Sequence, residues 1–197
     1  GLDYFNINHY SASYVAAFTG KDNEIYDGGF NYITQDADGK FLLGGNDCLV
    51  EYNPADNSCS IHRYYYPIFV FLVRPLQVLG ISIDDKQRIW VCAKGGGIGI
   101  LNKATGRFIM FSRDSLQGRL PGLSNNFVDD IQRGPKGTFW LATFTGLVQF
   151  NSTTYKYDEF VNHPVLKTLH QKRTWRIFSD KAGRLWLGYS RAGVYCY

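Results

Sequence analysis

The chain of 197 residues is 45% hydrophobic and 16% aromatic, a balance that fits a strand-rich globular core and excludes an intrinsically disordered segment. Its formal net charge of +4 is a mild bias, and Lys and Arg are scattered with no phosphate-tracking stripe, so nucleic acid is not an expected partner. Four cysteines without C-x-x-C spacing exclude a zinc ribbon or a dithiol redox centre.

In chain order the first recurring phrase is Gly39-Lys40-Phe41-Leu42-Leu43-Gly44. It returns as Gln87-Arg88-Ile89-Trp90-Val91-Cys92, as Gly137-Thr138-Phe139-Trp140-Leu141-Ala142 and as Gly183-Arg184-Leu185-Trp186-Leu187-Gly188. The copies begin at residues 39, 87, 137 and 183, in steps of 48, 50 and 46, and a period of that size marks a repeat architecture. Each copy is a turn feeding an apolar run, with Trp in three copies of four, and reads as a strand covered on both faces. Each ends on a small residue, Gly44, Cys92, Ala142 or Gly188, as expected where a neighbouring backbone comes close.

The surroundings repeat too. A strand is predicted upstream of each copy, at 30–35, 78–83, 127–133 and 175–179, and a third strand downstream, at 49–53, 98–102, 147–151 and 194–197. Fourth strands are expected at 59–66, 107–112 and 155–160. The chain is thus one domain, 1–197, with repeat units at about 30–66, 78–112 and 127–160 and partial units at 1–18 and 174–197. Four strands joined by short turns make one antiparallel sheet per unit, and radial repetition of such sheets is how a β-propeller limits its exposed edges. The expected fold class is all-β, a propeller fragment of about four blades belonging to a larger propeller. Residues 2–6 and 194–197 both read as third strands, which predicts an excerpt of a longer polypeptide, forming an open arc or one completed by a second copy.

Residues 68–73 form an unbroken apolar run, far below the ~18 to 20 residues that cross a bilayer. It reads as a buried or partner-covered extension of the first full unit, so any membrane attachment would come through the parent protein. The four cysteines, Cys48, Cys59, Cys92 and Cys196, are expected as small buried apolar residues, with no disulfide between Cys48 and Cys59. His9, His62, His163 and His170 lack metal-ligand spacing. Carboxylates sit at the turns, as in Asp36 with Asp38 and Asp84 with Asp85, where they can accept backbone N–H bonds. Asp129 and Asp130 are the least turn-like, and in a regular strand they would point to opposite faces. Neither a cofactor nor a metal is expected.

The units resemble the two-component regulator propeller repeat. The third carries the pattern most fully: Leu123-Ser124-Asn125-Asn126-Phe127-Val128, then Gly137-Thr138-Phe139-Trp140-Leu141, then Gly146-Leu147-Val148-Gln149-Phe150-Asn151. The first full unit departs with Leu42 in place of Trp, the second with Gln87 for Gly, the third with Ala142 for Gly. The resemblance implies the periplasmic, extracytoplasmic sensor part of a bacterial hybrid two-component system. Such a sensor recognises an oligosaccharide without catalysis and signals through the membrane to a histidine kinase on the parent chain. The other readings are a protein-binding scaffold and a propeller lyase or glycan-acting enzyme; the latter needs convergent acid, base or metal groups, and no repeat-equivalent position supplies them.

In a propeller the loops joining second to third strands and fourth to first strands share one face, the natural rim of a ligand site. The first set supplies Lys94, Phe144, Tyr189 and Arg191; the second set, with the strand starts after it, supplies Tyr26, Asn125, Asn126, Arg173 and Trp175. Aromatic faces with hydrogen-bonding edges suit sugar rings, so these nine are the expected ligand-binding residues.

Overall fold

A computed structural model describes residues 2–6, 11–15, 17–21, 23–64, 76–112, 126–158, 160, 166–168, 172–191 and 193–197. The 68–73 apolar run, Asn125, His9, His163 and His170 lie outside them. Two short hairpins come first, β1 (Leu2–Asn6) with β2 (Ser11–Val15), and β3 (Phe18–Thr19) with β4 (Ile25–Tyr26). The first blade is β5 (Phe30–Gln35), β6 (Phe41–Gly45), β7 (Cys48–Asn53) and β8 (Ser58–Arg63). The second is β9 (Val78–Ile83), β10 (Ile89–Ala93), β11 (Gly97–Asn102) and β12 (Arg107–Phe111). The third comprises β13 (Val128–Arg133), β14 (Thr138–Thr143), β15 (Gly146–Asn151) and a two-residue β16 (Tyr157–Asp158), shorter than the sequence predicts. In the fourth, β17 (Thr174–Ser179), β18 (Leu185–Tyr189) and β19 (Gly193–Cys196) are described. All pairings are antiparallel meanders, and the chain is all-β with the blade packing of a propeller. Among the described residues no helix is long and apolar enough to cross a membrane.

The first strands lie side by side, β5 against β9, β9 against β13 and β13 against β17, which puts them innermost. Between blades the apolar faces form continuous layers. Leu42 and Leu49 of the first blade meet Val78, Ile89 and Val91 of the second. Trp90, Ile98 and Phe111 of the second meet Ile131, Phe139 and Phe150 of the third. Ala142 and Leu147 of the third meet Ile177, Leu185 and Leu187 of the fourth. A blade covered on both sides has no polar face to alternate with, and this is why the second-strand runs are unbroken. Gly44 is small for the predicted reason: a Cβ there would sit 2.7 Å from Val78 Cγ1 of the next blade.

The fourth blade is covered on one side only. Phe178, Trp186, Val194 and Tyr197 are exposed on it, so the three equivalent Trp residues differ: Trp90 is 0% accessible, Trp140 half-buried and Trp186 36% accessible. Equal interblade burial, expected from the repeat, holds for Trp90 and fails for Trp186, because burial comes from the following blade and not from the tryptophan's own sheet. Cys196 shares this exposure, a correction to the expectation of four buried cysteines; Cys48, Cys59 and Cys92 are buried, and all four are free thiols.

Every first strand carries a register slip at its start, between Phe30 and Tyr32, Val128 and Asp130, and Thr174 and Arg176; in the second blade it falls where Cys92 and Ala93 oppose Gly80 and Val78. The extra residues are Asn31, Leu79, Asp129 and Trp175. A bulge leaves its extra residue out of the ladder and re-aims it, so four innermost strands each turn one side chain away from the regular pleat.

Candidate functional site

The bulges lie at the end where the two predicted loop sets meet. Asn46 bridges to Gln77 and Lys94 to Phe127, joining the second-to-third turn of one blade to the entry of the next. Gly97 N–H donates to Asn126 O at 2.9 Å, Phe144 N–H to Phe127 O at 3.1 Å and Ser190 N–H to Arg173 O at 3.1 Å. These backbone bonds hold both loop sets on one face, as the sequence predicts.

Between the third and fourth blades this face carries a built cluster. Asp129, 5% accessible, receives Arg173 through two bonds, Nε to Oδ2 at 3.0 Å and Nη2 to Oδ1 at 3.1 Å. The Arg173 guanidinium lies 4.7 Å from the Trp175 ring centroid and 5.5 Å from that of Phe144, within cation–π range of both. Phe144 in turn lies 6.3 Å from Phe127. Phe144 and Trp175 remain 54% and 48% accessible. Large rings held by a planar cation yet open to solvent are a stacking platform, and the fixed guanidinium means that little side-chain entropy remains to be lost on binding.

Asp130 supports the cluster from below. Its Oδ2 accepts Ile177 N–H of the fourth blade at 2.9 Å, and its Oδ1 accepts Ile131 N–H at 2.8 Å. Burial raises its carboxyl above the usual range, against the opposing pull of the Ile177 N–H and Arg176. Arg176 Nη1 donates to Asp129 O at 2.7 Å. The aspartate doublet therefore does not split across opposite faces as a regular strand would require: the bulge lets both carboxylates reach the fourth blade. Sequence reasoning missed Asp129 as a site residue, and the signal was there in a carboxylate pair off the turns.

Of the nine predicted residues, the structure brings Phe144, Arg173 and Trp175 into direct contact. Lys94 and Asn126 adjoin them through Phe127 and Gly97. Arg191, exposed and with φ of 61°, and Tyr189 flank Ser190 in the turn bound to Arg173. Tyr189 itself is buried, edge-on to Tyr195 at 5.2 Å. Tyr26, in the β3–β4 hairpin, is buried against the first blade and away from this cluster; its hydroxyl donates to Gly29 O at 2.8 Å and accepts Asn46 N–H at 2.9 Å, a turn-fastening arrangement that leaves little of it for a ligand.

No protein-family model matches the sequence, and no curated protein matches it. Solved structures do resemble the fold. The extracellular domain of the hybrid two-component system BT4673 from B. thetaiotaomicron aligns over 100% of this chain and 24% of its own length, with a TM-score of 0.71 and 16% identity. That of BT3049 from the same organism aligns over 99% of this chain and 26% of its own, with a TM-score of 0.66 and 24% identity. Virginiamycin B lyase from Staphylococcus aureus aligns over 91% of this chain and 61% of its own, with a TM-score of 0.58 and 14% identity. The fold is therefore shared with extracellular domains of hybrid two-component systems, the group that the repeat resembles, and the chain spans about a quarter of the length of those domains.

Proposed function

We propose that the chain is part of a non-catalytic, periplasmic sensing propeller of a bacterial two-component signalling protein, and that it contributes to an oligosaccharide site on the loop face between the third and fourth blades. The observation that carries this reading is the exposed Phe144 and Trp175 pair clamped around Arg173, which is itself fixed by Asp129. Apolar ring faces beside fixed donors and acceptors match the apolar faces and hydroxyl edges of a pyranose. The likeness to extracellular domains of two-component systems supports the sensing role and the extracytoplasmic setting.

The test is calorimetry of the whole extracellular protein against a panel of glycan fragments, with the ligand recovered and analysed afterwards. Binding with the glycan returned intact supports the proposal. Silence across the panel favours a protein-binding scaffold, and cleaved or eliminated product favours an enzyme.

A further inference from the structure

We propose that this rim site selects uncharged sugars over acidic ones, and that Asp129 is the specificity-determining residue. The inference rests on the oligosaccharide reading above. An arginine between two aromatic rings on an exposed face is, taken alone, a receptor for a carboxylate or sulfate, because its planar fork can give two parallel charge-assisted bonds. Here one edge of that fork is already taken. Asp129 accepts from both Nε and Nη2 and is nearly buried, so an acidic ligand at the remaining outer edge would meet a guanidinium whose charge a carboxylate already offsets, with that second carboxylate close by to repel it.

At the centre of the cluster the neighbouring charges are paired as well. Arg176 donates from Nη1 to Asp129 O at 2.7 Å and to Trp175 O at 3.3 Å, and it faces the carboxylate of Asp130. Asp130 is spent on the Ile177 and Ile131 N–H groups. The remaining cations stand around the edge: Lys94, half-buried and tied through its backbone to Gln77 and Phe127, Arg191 in the exposed turn beside Ser190, and Lys172 over the Tyr195 ring. What the centre offers a ligand is two open ring faces and the outer edge of a charge-neutralised guanidinium. Those groups meet hydroxyls and C–H faces, and at the centre they attract a uronate less than an unpaired arginine would.

The experiment measures the whole extracellular protein against neutral malto-, manno- and xylo-oligosaccharides and against oligogalacturonides, at low and at high salt, with Asp129→Asn alongside the parent. The parent is expected to bind a neutral oligosaccharide at least about tenfold more tightly than any uronate one, with an affinity that salt leaves unchanged. Asp129→Asn, its fold checked by its melting temperature, should shift the ratio of uronate to neutral affinity about tenfold toward the uronate oligosaccharides, and an unchanged ratio overturns the role of Asp129. If that variant does not fold, the salt dependence and class preference of the parent decide the matter. Tighter, salt-sensitive uronate binding by the parent overturns the inference and leaves the oligosaccharide reading standing, whereas binding of neither class removes both.

Discussion

Asp84 Oδ2 accepts the indole N–H of Trp90 at 2.9 Å, and Asp180 Oδ2 accepts that of Trp186 at the same 2.9 Å, so two blades close their first hairpin with one bond. Each carboxylate also takes the Nε of an arginine four residues on, Arg88 or Arg184, at 2.6 Å, and two backbone N–H groups of its own turn. In the first blade Asp36 keeps the two backbone bonds, to Asp38 and Lys40, without an indole to hold. A repeated carboxylate therefore fixes the turn, and where the second strand carries Trp it fixes the indole as well.

Trp90 and Trp186 share that bond and differ in cover, which separates the clamp from the interblade packing. Trp90 lies within 6 Å, centroid to centroid, of Phe111, Phe139 and Phe150, whereas Trp186 faces outward on the fourth blade. Trp90→Ala should cost about 3 to 5 kcal/mol, and Trp186→Ala less than about half of that. Urea unfolding of the two variants measures the difference. Equal losses would show that a further layer covers the fourth blade in the whole protein.

Acid should act through Asp84. Its burial pushes the carboxyl upward, but the Trp90 indole, the Arg88 and Lys86 N–H groups and the Arg88 guanidinium outweigh that and hold it below the usual range. A carboxyl depressed in the folded state contributes stability above its unfolded pKa of about 3.9, and that contribution is lost as pH falls through the folded value. Asp130 has the opposite sign: burial raises it, so folding gains from its protonation as pH drops toward about 3.9. Asp84→Asn should therefore lower the melting temperature at neutral pH and flatten its fall below about pH 4. A melting series across that range is the check, and a parallel downward shift at every pH would mean that Asp84 acts by packing alone.

The third blade lacks the clamp. Gly134 stands at the carboxylate position and Thr138 at that of the arginine, while Trp140 keeps its place and is half-buried. Gly134 N–H still donates to Thr138 O at 2.8 Å, but the turn inside that bond differs: Thr138 N–H donates to Pro135 O at 3.1 Å and Lys136 and Gly137 both have positive φ, whereas the equivalents bond the residue three on to the Asp carbonyl. Asp at 134 alone would crowd the Thr138 hydroxyl, since a Cβ there would lie 2.6 Å from Oγ1 and 3.3 Å from Trp140 Nε1. The double change Gly134→Asp with Thr138→Arg relieves the hydroxyl contact but leaves the backbone carbonyl of residue 138 at 3.3 Å from the added Cβ and its N–H committed to Pro135 O, so it should recover only part of the stability that Gly134→Asp loses. Thermal melts of the single and double variants test it: Gly134→Asp alone should lose stability, and a double variant more stable than the parent would show that the clamp forms on this turn as well.

The period, the strand positions and the face that carries the loops were legible because they depend on local residues: a turn, a basic or polar residue, an apolar run and a small terminus. What escaped depended on partners in other blades. The slip that frees Asp129 is stabilised by Asp130 reaching Ile177 N–H on the fourth blade, a contact between residues 47 apart that strand alternation gives no hint of. Tyr26 and Tyr189 had the composition and loop positions of rim residues, yet one hydroxyl fastens the Asn46 turn and the other ring packs on Tyr195. Trp90 and Trp186 sit in matching phrases, and only the neighbouring sheet distinguishes them.

The rim residues should divide by what they hold. Trp175 and Phe144 project from a bulge and a turn into solvent, and their contacts are chiefly with Arg173 and, for Phe144, Phe127. Replacing either with Ala should weaken oligosaccharide binding by about 1 to 3 kcal/mol through loss of stacking area, with little change in melting temperature. Arg173 differs, because its removal takes from the nearly buried Asp129 carboxylate the two N–H donors that Arg173 supplies. Arg173→Ala should therefore lose both binding and about 2 to 4 kcal/mol of stability, and Asp129→Ala in the same background should recover part of that stability without restoring binding. Calorimetry and melting of the four variants separate the roles. A Trp175→Ala variant that melts well below the parent would make the ring structural, and an Arg173→Ala variant as stable as the parent would mean that Asp129 finds another partner or water in its place.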